Sequence, residues 1–303
     1  MKHEGVSAIA ERKEQLKEGL GLVLCTRQKD SEDAFLGRQI DLAHELCLPA
    51  VQFDLRHRTN EDIEASLSDL RSFHEKNSEC AISIHGEVPK IDQKTLDISN
   101  RERVKKEIEL TQALDGESYT VHPPNVASGT FETVEEQQRE KVLNNYARLF
   151  IPSIKSATEA GSNFAIALEN MPTKGKDGAW GQTPEDIELL LSTVCNVASL
   201  ETGIDMEEVQ KHVGITFDVN HALHDMENIE QADQLLTEWF IRLGNRMKVI
   251  HIYMPSSETD SFLHKYEKTL ELAAEYAPHS RLFLESKNNA DSTKSLYIST
   301  KNL

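Results

Sequence analysis

The chain has 303 residues, 38% of them hydrophobic, which is enough to bury a large core as one barrel-sized domain or as two ordinary domains. Asp and Glu number 51 against 33 Lys and Arg, so the formal net charge is −18. This excess repels the phosphate backbone that dominates nucleic-acid affinity, and it disfavours a nucleic-acid partner.

The four cysteines, Cys25, Cys47, Cys80 and Cys195, are far apart and form no Cys-x-x-Cys pair. Their spacing indicates neither a disulfide framework nor a zinc knuckle, and it predicts reduced thiols that are mostly buried. The first 20 residues lack the apolar region of a signal peptide, and no segment approaches the ~20 apolar residues of a membrane helix. We therefore expect a cytoplasmic protein without a membrane anchor.

Short β-rich runs alternate with longer runs that carry apolar residues at three- and four-residue intervals. The predicted strands are 19–25, 50–55, 80–85, 118–122, 164–169, 214–219, 248–253 and 281–285. The predicted helices are 33–48, 61–76, 102–114, 135–160, 183–194, 230–244 and 262–276. Alternation over this length predicts a parallel sheet, and eight units favour an α/β fold of the closed (β/α)8 TIM-barrel type.

Local signals support these boundaries. Gly161 and Gly244 follow helical runs where a left-handed cap is expected, and Thr183 precedes a first-turn proline and an early acid. No glycine-rich phosphate fingerprint follows the first strand, which weakens a dinucleotide-binding interpretation. Because no low-complexity linker divides the chain, we predict a single domain over residues 1–303, with a polar, helix-poor tail at about 286–303.

Residues of metal-ligand type end six of the eight predicted strands. The stretch GITFDVNHAL at 214–223 is one example, because a buried strand stops at a carboxylate and an imidazole follows three residues later. The full set is His85, His122, Glu169, Asp218 with His221, His251 and Glu285.

In a (β/α)8 barrel the active site lies at the C-terminal ends of the strands, so these seven residues should converge on one mouth. Imidazole nitrogens and carboxylate oxygens are ligands of Zn²⁺ and Mn²⁺, and no cysteine competes among them. A single histidine after an apolar strand is more often a hydrogen-bonded core residue. Packing does not explain why six strands carry a ligand-type residue at the same end. The pattern therefore predicts a divalent-metal site with one or two ions.

Several motifs resemble those of the xylose isomerase-like TIM barrels, which include sugar and sugar-phosphate isomerases and epimerases and apurinic endonuclease IV. The matching pieces are SIHGEVP (83–89), YTVHPP (119–124), ALENMPTKGKDGAWGQTPEDIELLL (167–191), GITFDVNHAL (214–223), IHIY (250–253) and LFLES (282–286). Each piece is short, and together they span about three-quarters of the chain.

The resemblance implies a role for each residue. Glu169, Asp218, His251 and Glu285 match the residues that hold a divalent metal in this group. His85 and His122 match histidines of the endonuclease branch that complete a second metal site sharing Glu169. His221 matches a residue that binds substrate in epimerases and a third metal in the endonuclease.

The chain also departs from the patterns of this group and of its endonuclease branch. Many members carry an aspartate three residues after the seventh-strand histidine, where this chain has Met254. The later Asp-x-His pair is replaced by Asp260 and His264 at a different spacing. A third metal and abasic-site cleavage are therefore not predicted.

The first functional hypothesis is an isomerase or epimerase of a sugar or sugar phosphate. Glu169 and Glu285 would transfer the proton as a base and acid pair, Asp218 and His251 would hold the metal, and His221 would bind a substrate oxygen. The second is a two-metal hydrolase of a phosphoester, which His85 and His122 favour. The third is a barrel that binds metal without catalysis.

Further residues are candidates for binding the substrate. Trp180 lies after the fifth strand, where it could cover a sugar face or anchor a loop. Basic residues near the strand ends could hold a phosphate or be ordinary surface charge; they are Arg56, His57, Arg58, Lys90, Lys174 and Lys176. Trp239 lies in an amphipathic helix and is predicted to be core. The oligomeric state is left open, with a homo-oligomer as one option.

Overall fold

The computed structural model describes residues 2–24, 35–56, 60–92, 94–126, 136–172, 180–224, 226, 228–255, 259–286 and 290–302. Eight parallel strands close into a barrel in the order β1-β10-β9-β8-β7-β5-β3-β2. They are β1 (Gly21–Leu24), β2 (Ala50–Asp54), β3 (Ala81–His85), β5 (Ser118–Val121), β7 (Ala165–Glu169), β8 (Val213–Asp218), β9 (Met247–Met254) and β10 (Arg281–Ser286). Two short strands, β4 (Lys90–Ile91) and β6 (Asn125–Val126), pair with each other outside the barrel. The (β/α)8 barrel is thus confirmed.

Helices surround the barrel. They are α1 (Lys2–Glu18), α2 (Phe35–Glu45), α3 (Asn60–Lys76), α4 (Arg101–Ala113), α5 (Glu136–Ala147), α6 (Ile151–Ala160), α7 (Pro184–Thr202), α8 (Met206–Lys211), α9 (Val219–Ala222), α10 (Ile229–Leu243), α11 (Asp260–Tyr276) and α12 (Ala290–Lys301). Within the described ranges, no helix combines the length and apolar character needed to span a bilayer.

The main apolar core lies between the strands and these helices. Trp239 on α10 is 1% exposed and packs on Phe217 of β8 with ring centroids 5.2 Å apart, which confirms it as a core residue. A second apolar cluster, Val23, Ala50, Val249 and Phe283, is contributed by four strands. On β9 and β10 it lies two residues before His251 and Glu285, so strand alternation places these polar side chains on the same barrel-interior face.

Three local predictions are wrong. The run 135–160 is two helices, because the chain turns at 148–150 before Pro152 starts the first turn of α6. The tail is not helix-poor, since α12 forms there and Tyr297 Oη donates to the Leu20 carbonyl at 2.7 Å. Gly244 is not a left-handed cap: its φ is −54°.

The glycines at 161 and 244 are required for different reasons. Gly161 has a φ of 62° and caps α6 in the left-handed region, as predicted. At Gly244 a Cβ atom would lie 2.7 Å from the Cβ of Tyr276, so close packing against α11 excludes a side chain. The predicted cap of α7 is present as a capping box between Thr183 and Asp186.

Candidate active site

The barrel interior is polar toward the C-terminal ends of the strands. The Gln52 side-chain amide donates to Thr120 Oγ1 at 2.9 Å, and the hydroxyls of Thr120 and Thr216 are 2.7 Å apart. All three side chains are fully buried. His122 and Asp218 follow Thr120 and Thr216 by two residues and therefore lie on the same face. This hydrogen-bonded layer, one step deeper in the barrel, supports the predicted ligands.

Glu169 is the centre of the predicted ligand set. Its Oε2 lies 2.9 Å from Nε2 of His85 and 2.8 Å from Nε2 of His122. Its other oxygen, Oε1, lies 3.4 Å from Nδ1 of His251 and 3.8 Å from Nδ1 of His221. Four imidazoles from four different positions along the chain therefore surround one carboxylate that is 1% exposed.

The predicted ligands form three overlapping groups in which the ligand atoms all lie within 4.8 Å of one another. The groups are His85, Glu169 and His251; Glu169, Asp218 and His221; and Asp218, His251 and Glu285. His122 contacts the same Glu169 oxygen as His85 but belongs to none of the three. The overlap gives a continuous cluster rather than isolated contacts.

The hydrogen bonding of this cluster fits a cation. Among the described residues, both ring nitrogens of His85, His122 and His251 and both oxygens of Glu169 are buried without a hydrogen bond of acceptable geometry. The short nitrogen-to-oxygen distances are therefore close approaches whose angles do not suit an N–H donor. Buried polar atoms normally have partners, and atoms that converge on a common point without bonding each other suit metal coordination.

A second set of contacts fixes the Asp218 side of the cluster. Asn170 donates its amide to the Asp218 carbonyl at 3.0 Å and accepts from the Asp218 backbone N–H at 2.6 Å. Asp218 Oδ1 accepts from the His221 backbone N–H at 2.8 Å, which caps the short helix α9. The His221 Nδ1 atom lies 2.8 Å from the Asn170 carbonyl, so this nitrogen carries the proton. Asn170 is a positioning residue that the sequence analysis missed.

The ionisation of the cluster is uneven. Burial raises the pKa of Glu169, but the interactions of its carboxylate with the His85 and His122 imidazoles outweigh it and hold that pKa well below its usual range. Burial and the Asp218 carboxylate raise the pKa of Glu285. Burial, together with the Arg56 charge, lowers the pKa of His85 to about 3, so its ring is neutral near pH 7 and available as a ligand.

The buried pair of Asp54 and Arg56 adjoins this cluster. Arg56 Nη2 lies 2.7 Å from Asp54 Oδ2 and Nε lies 2.9 Å from Oδ1, while Nη2 is 3.6 Å from Oε1 of Glu285. Burial would raise the pKa of Asp54, but the Arg56 guanidinium reverses this and lowers it. Sequence reasoning missed Asp54, although it ends its strand in the same way as the predicted ligands.

The structure distributes the remaining predicted residues differently. Arg56 is at the site, but its guanidinium is engaged by Asp54. Trp180 is partly buried and packs against the main core, and Lys90 is exposed, 3.8 Å from Glu87. Lys174 lies outside the described residues, as do His57, Arg58 and Lys176.

Asp260 and His264, whose spacing departed from the endonuclease pattern, lie on the outer helix α11. His264 Nε2 is 2.9 Å from Oδ1 of Asp233 on α10. This exposed contact joins two surface helices, and neither residue belongs to the three groups of candidate ligands.

The family model of the xylose isomerase-like TIM barrel matches residues 40–267. No curated protein matches the sequence.

Solved structures with a similar fold include a D-tagatose 3-epimerase-like protein at 19% identity and a TM-score of 0.60, covering 93% of this chain and 98% of that chain. An L-ribulose 3-epimerase has 14% identity and a TM-score of 0.58, covering 93% and 90%. Endonuclease IV from Thermus thermophilus has 15% identity and a TM-score of 0.53, covering 93% and 97%. At these identities the structural likeness shows the fold, and the family match spans more than half of the sequence. The chain therefore belongs to the xylose isomerase-like TIM barrel family.

Proposed function

We propose that this protein is a divalent-metal-dependent isomerase or epimerase of a sugar or sugar phosphate, with Zn²⁺ or Mn²⁺ as its metal. The observation that carries the proposal is the cluster of three overlapping ligand groups, with Glu169 and Glu285 at the strand ends of one barrel mouth. That sugar 3-epimerases are among the structural neighbours supports this choice within the family.

The two glutamates suit different roles. Glu285 has a raised pKa, which brings it closer to neutral pH and favours proton transfer to and from a carbon atom. Glu169 has a lowered pKa and four imidazoles around it, so it serves mainly as a ligand and as the second carboxylate of the pair. Asp218 and His251 complete the metal-binding set, and His221 binds a substrate oxygen. The bound cation would supply polarisation of the sugar carbonyl and its adjacent hydroxyl.

A specific observation favours hydrolysis as the second candidate function. His85 and His122 approach Oε2 of Glu169, whereas His251 approaches Oε1, an arrangement in which one carboxylate could bridge two ions. Two ions can activate water and stabilise the leaving oxygen of a phosphoester. A one-metal epimerase has no need for His85 and His122.

Metal content and solvent exchange distinguish these functions. Elemental analysis of the purified protein should give at least one Zn²⁺ or Mn²⁺ per chain, and the substitution Glu169→Gln should remove it. Glu201→Gln is the matched control, because that exposed glutamate pairs with Arg148 on the surface. Without metal in the unsubstituted protein, all three hypotheses fail.

The reaction is then tested by NMR in D₂O on a panel of ketoses and their phosphates. An isomerase or epimerase incorporates deuterium at the carbon beside the carbonyl, and Glu285→Gln should slow this by about 10²–10⁴-fold, the usual contribution of a positioned acid or base. Release of phosphate from phosphoesters, or cleavage of an abasic oligonucleotide, without any deuterium incorporation would establish the hydrolase instead.

A further inference from the structure

A second polar cavity lies at the opposite end of the barrel. Its volume is about 810 Å³, and its lining comes from segments just before or at the start of the strands, including Gly19, Ser162, His212, Lys248 and Arg281. Residues at this N-terminal face of a (β/α)8 barrel usually serve stability. The charged groups here allow a different use.

A β-bulge directs Lys248 to this cavity. Ile215 pairs with Met247 and Thr216 pairs with Val249, so Lys248 is the extra residue of β9. A Cβ atom at Gly214 would lie 2.5 Å from Cγ of Lys248, which shows that the lysine stem crosses the space left by this glycine. The bulge and the glycine together place a half-buried ammonium at the cavity.

The other charges of the cavity are largely paired with each other. Arg281 makes two hydrogen bonds of 2.7 Å to the carboxylate of Glu117, and Lys211 is bonded to Glu208. Among the described residues, Lys248 makes no salt bridge and hydrogen-bonds no carboxylate. Burial and the neighbouring Arg246 lower the pKa of Lys248, so an anion beside it would favour its charged form.

His212 supplies a second polar group without a partner. The residue lines the cavity and is 3% exposed. Its Nδ1 atom lies 2.8 Å from the Phe164 carbonyl, which can only accept, so Nδ1 carries the proton. Within the described residues, its Nε2 atom is buried and makes no hydrogen bond. A buried ring nitrogen of this kind is normally satisfied, and here a ligand could satisfy it.

We propose that this cavity binds the oxyanion of a small molecule, a phosphate or a carboxylate, between the Lys248 ammonium and His212 Nε2. Helices α1, α6, α8 and α11 end at the cavity, and their partial negative charges also favour cations there. Neutralisation of these helix ends would by itself explain why the Lys248 ammonium lies at the cavity. It would leave Nε2 of His212 without a hydrogen-bond partner. The oxyanion accounts for both groups and does not depend on the reaction at the other mouth.

The test is calorimetric titration with inorganic phosphate and, separately, with succinate, at constant ionic strength. Lys248→Met keeps the stem over Gly214 and removes the charge, while His212→Asn removes the ring. Each should weaken binding by about tenfold or more, the usual effect of losing a charge-assisted or buried hydrogen bond. Lys248→Arg should retain binding.

One control locates the site. Lys106→Met removes an exposed lysine of α4 that pairs with Glu64, and it should bind the anion as the unsubstituted protein does. Saturable binding of either anion that is lost in Lys248→Met and His212→Asn supports the site. Equal binding by folded Lys248→Met, or no saturable binding of either anion, overturns it and leaves the lysine as a counterion to the helix ends.

Discussion

Replacement of Asp54 by asparagine should destabilise the protein by about 3 kcal/mol. Both carboxylate oxygens of this 1%-exposed side chain accept from Arg56, at 2.7 Å from Nη2 and at 2.9 Å from Nε. Asparagine retains one acceptor, and breaking a buried ion pair leaves an uncompensated charge that typically destabilises by about 3–5 kcal/mol. The Glu285 carboxylate, 3.6 Å from the same guanidinium, would compensate part of the Arg56 charge. A destabilisation at the lower end of this range is therefore expected.

The measurement is urea unfolding in excess chelator, which keeps metal binding out of the free energy. Arg56→Met and the double variant complete a double-mutant cycle. The double variant should be more stable than the sum of the single losses predicts, by about 2 kcal/mol, because it leaves neither charge alone. A loss below about 1 kcal/mol in Asp54→Asn, or additivity within about 0.5 kcal/mol, would refute this reasoning.

The same variant has a defined pH signature. The folded pKa of Asp54 lies below the unfolded value of about 3.9, so its contribution to the free energy of unfolding is complete above that pH. The contribution is lost as pH falls toward the folded pKa. The stability difference between the unsubstituted protein and Asp54→Asn should therefore be constant from pH 7 to pH 5 and shrink below about pH 4. A difference that grows on acidification would contradict the assignment.

Three further outcomes are expected. Addition of Mn²⁺ or Zn²⁺ at 100 times its dissociation constant should stabilise the protein by about 2.7 kcal/mol, and chelation should reverse the gain; an unchanged melting temperature would contradict a metal site. Trp239→Ala should lower the free energy of unfolding by about 3–5 kcal/mol, because the ring is 1% exposed and packs on Phe217, and a loss under about 1 kcal/mol in urea unfolding would show that the helix is not anchored there. Gly86→Ala should destabilise by about 2 kcal/mol, since its Cβ would lie 1.9 Å from Oη of Tyr119. The control is Gly203→Ala, where the φ of 73° is strained for alanine but the new Cβ would lie in open space, so a loss of about 1 kcal/mol in unfolding free energy is expected. Equal losses for Gly86→Ala and Gly203→Ala would argue against the close contact at Gly86.

The fold was predictable because its signal is local and repeated. Each barrel strand is a short apolar run, and each long helix carries its own three- and four-residue period, so eight units reinforce one another. The errors occurred where the local pattern is weak or continues across a break. The polar segment that forms α12 is stabilised by contacts such as that between Tyr297 and Leu20, residues 277 positions apart. The break before α6 leaves the apolar period on both sides intact.

The candidate site was predictable in composition but not in connectivity. Strand alternation fixes which residues face the interior, and parallel strands bring their C-terminal ends together, so His85, Glu169 and His251 could be expected to meet. Sequence could not show that four imidazoles surround Glu169 in particular, because side-chain partners depend on register between strands that are distant along the chain.

Sequence alone determined the barrel, through the periodicity of single segments, and the types of the candidate ligand residues at its mouth, through the residues that end the strands. Only the tertiary structure decided the partners of the charged groups. Arg56, a candidate for binding phosphate, faces a carboxylate two residues earlier, and His264 pairs with Asp233 on the surface. Lys248 reaches the opposite cavity because of a bulge between two strands. These pairings are set by distances in space, which a period along the chain does not encode.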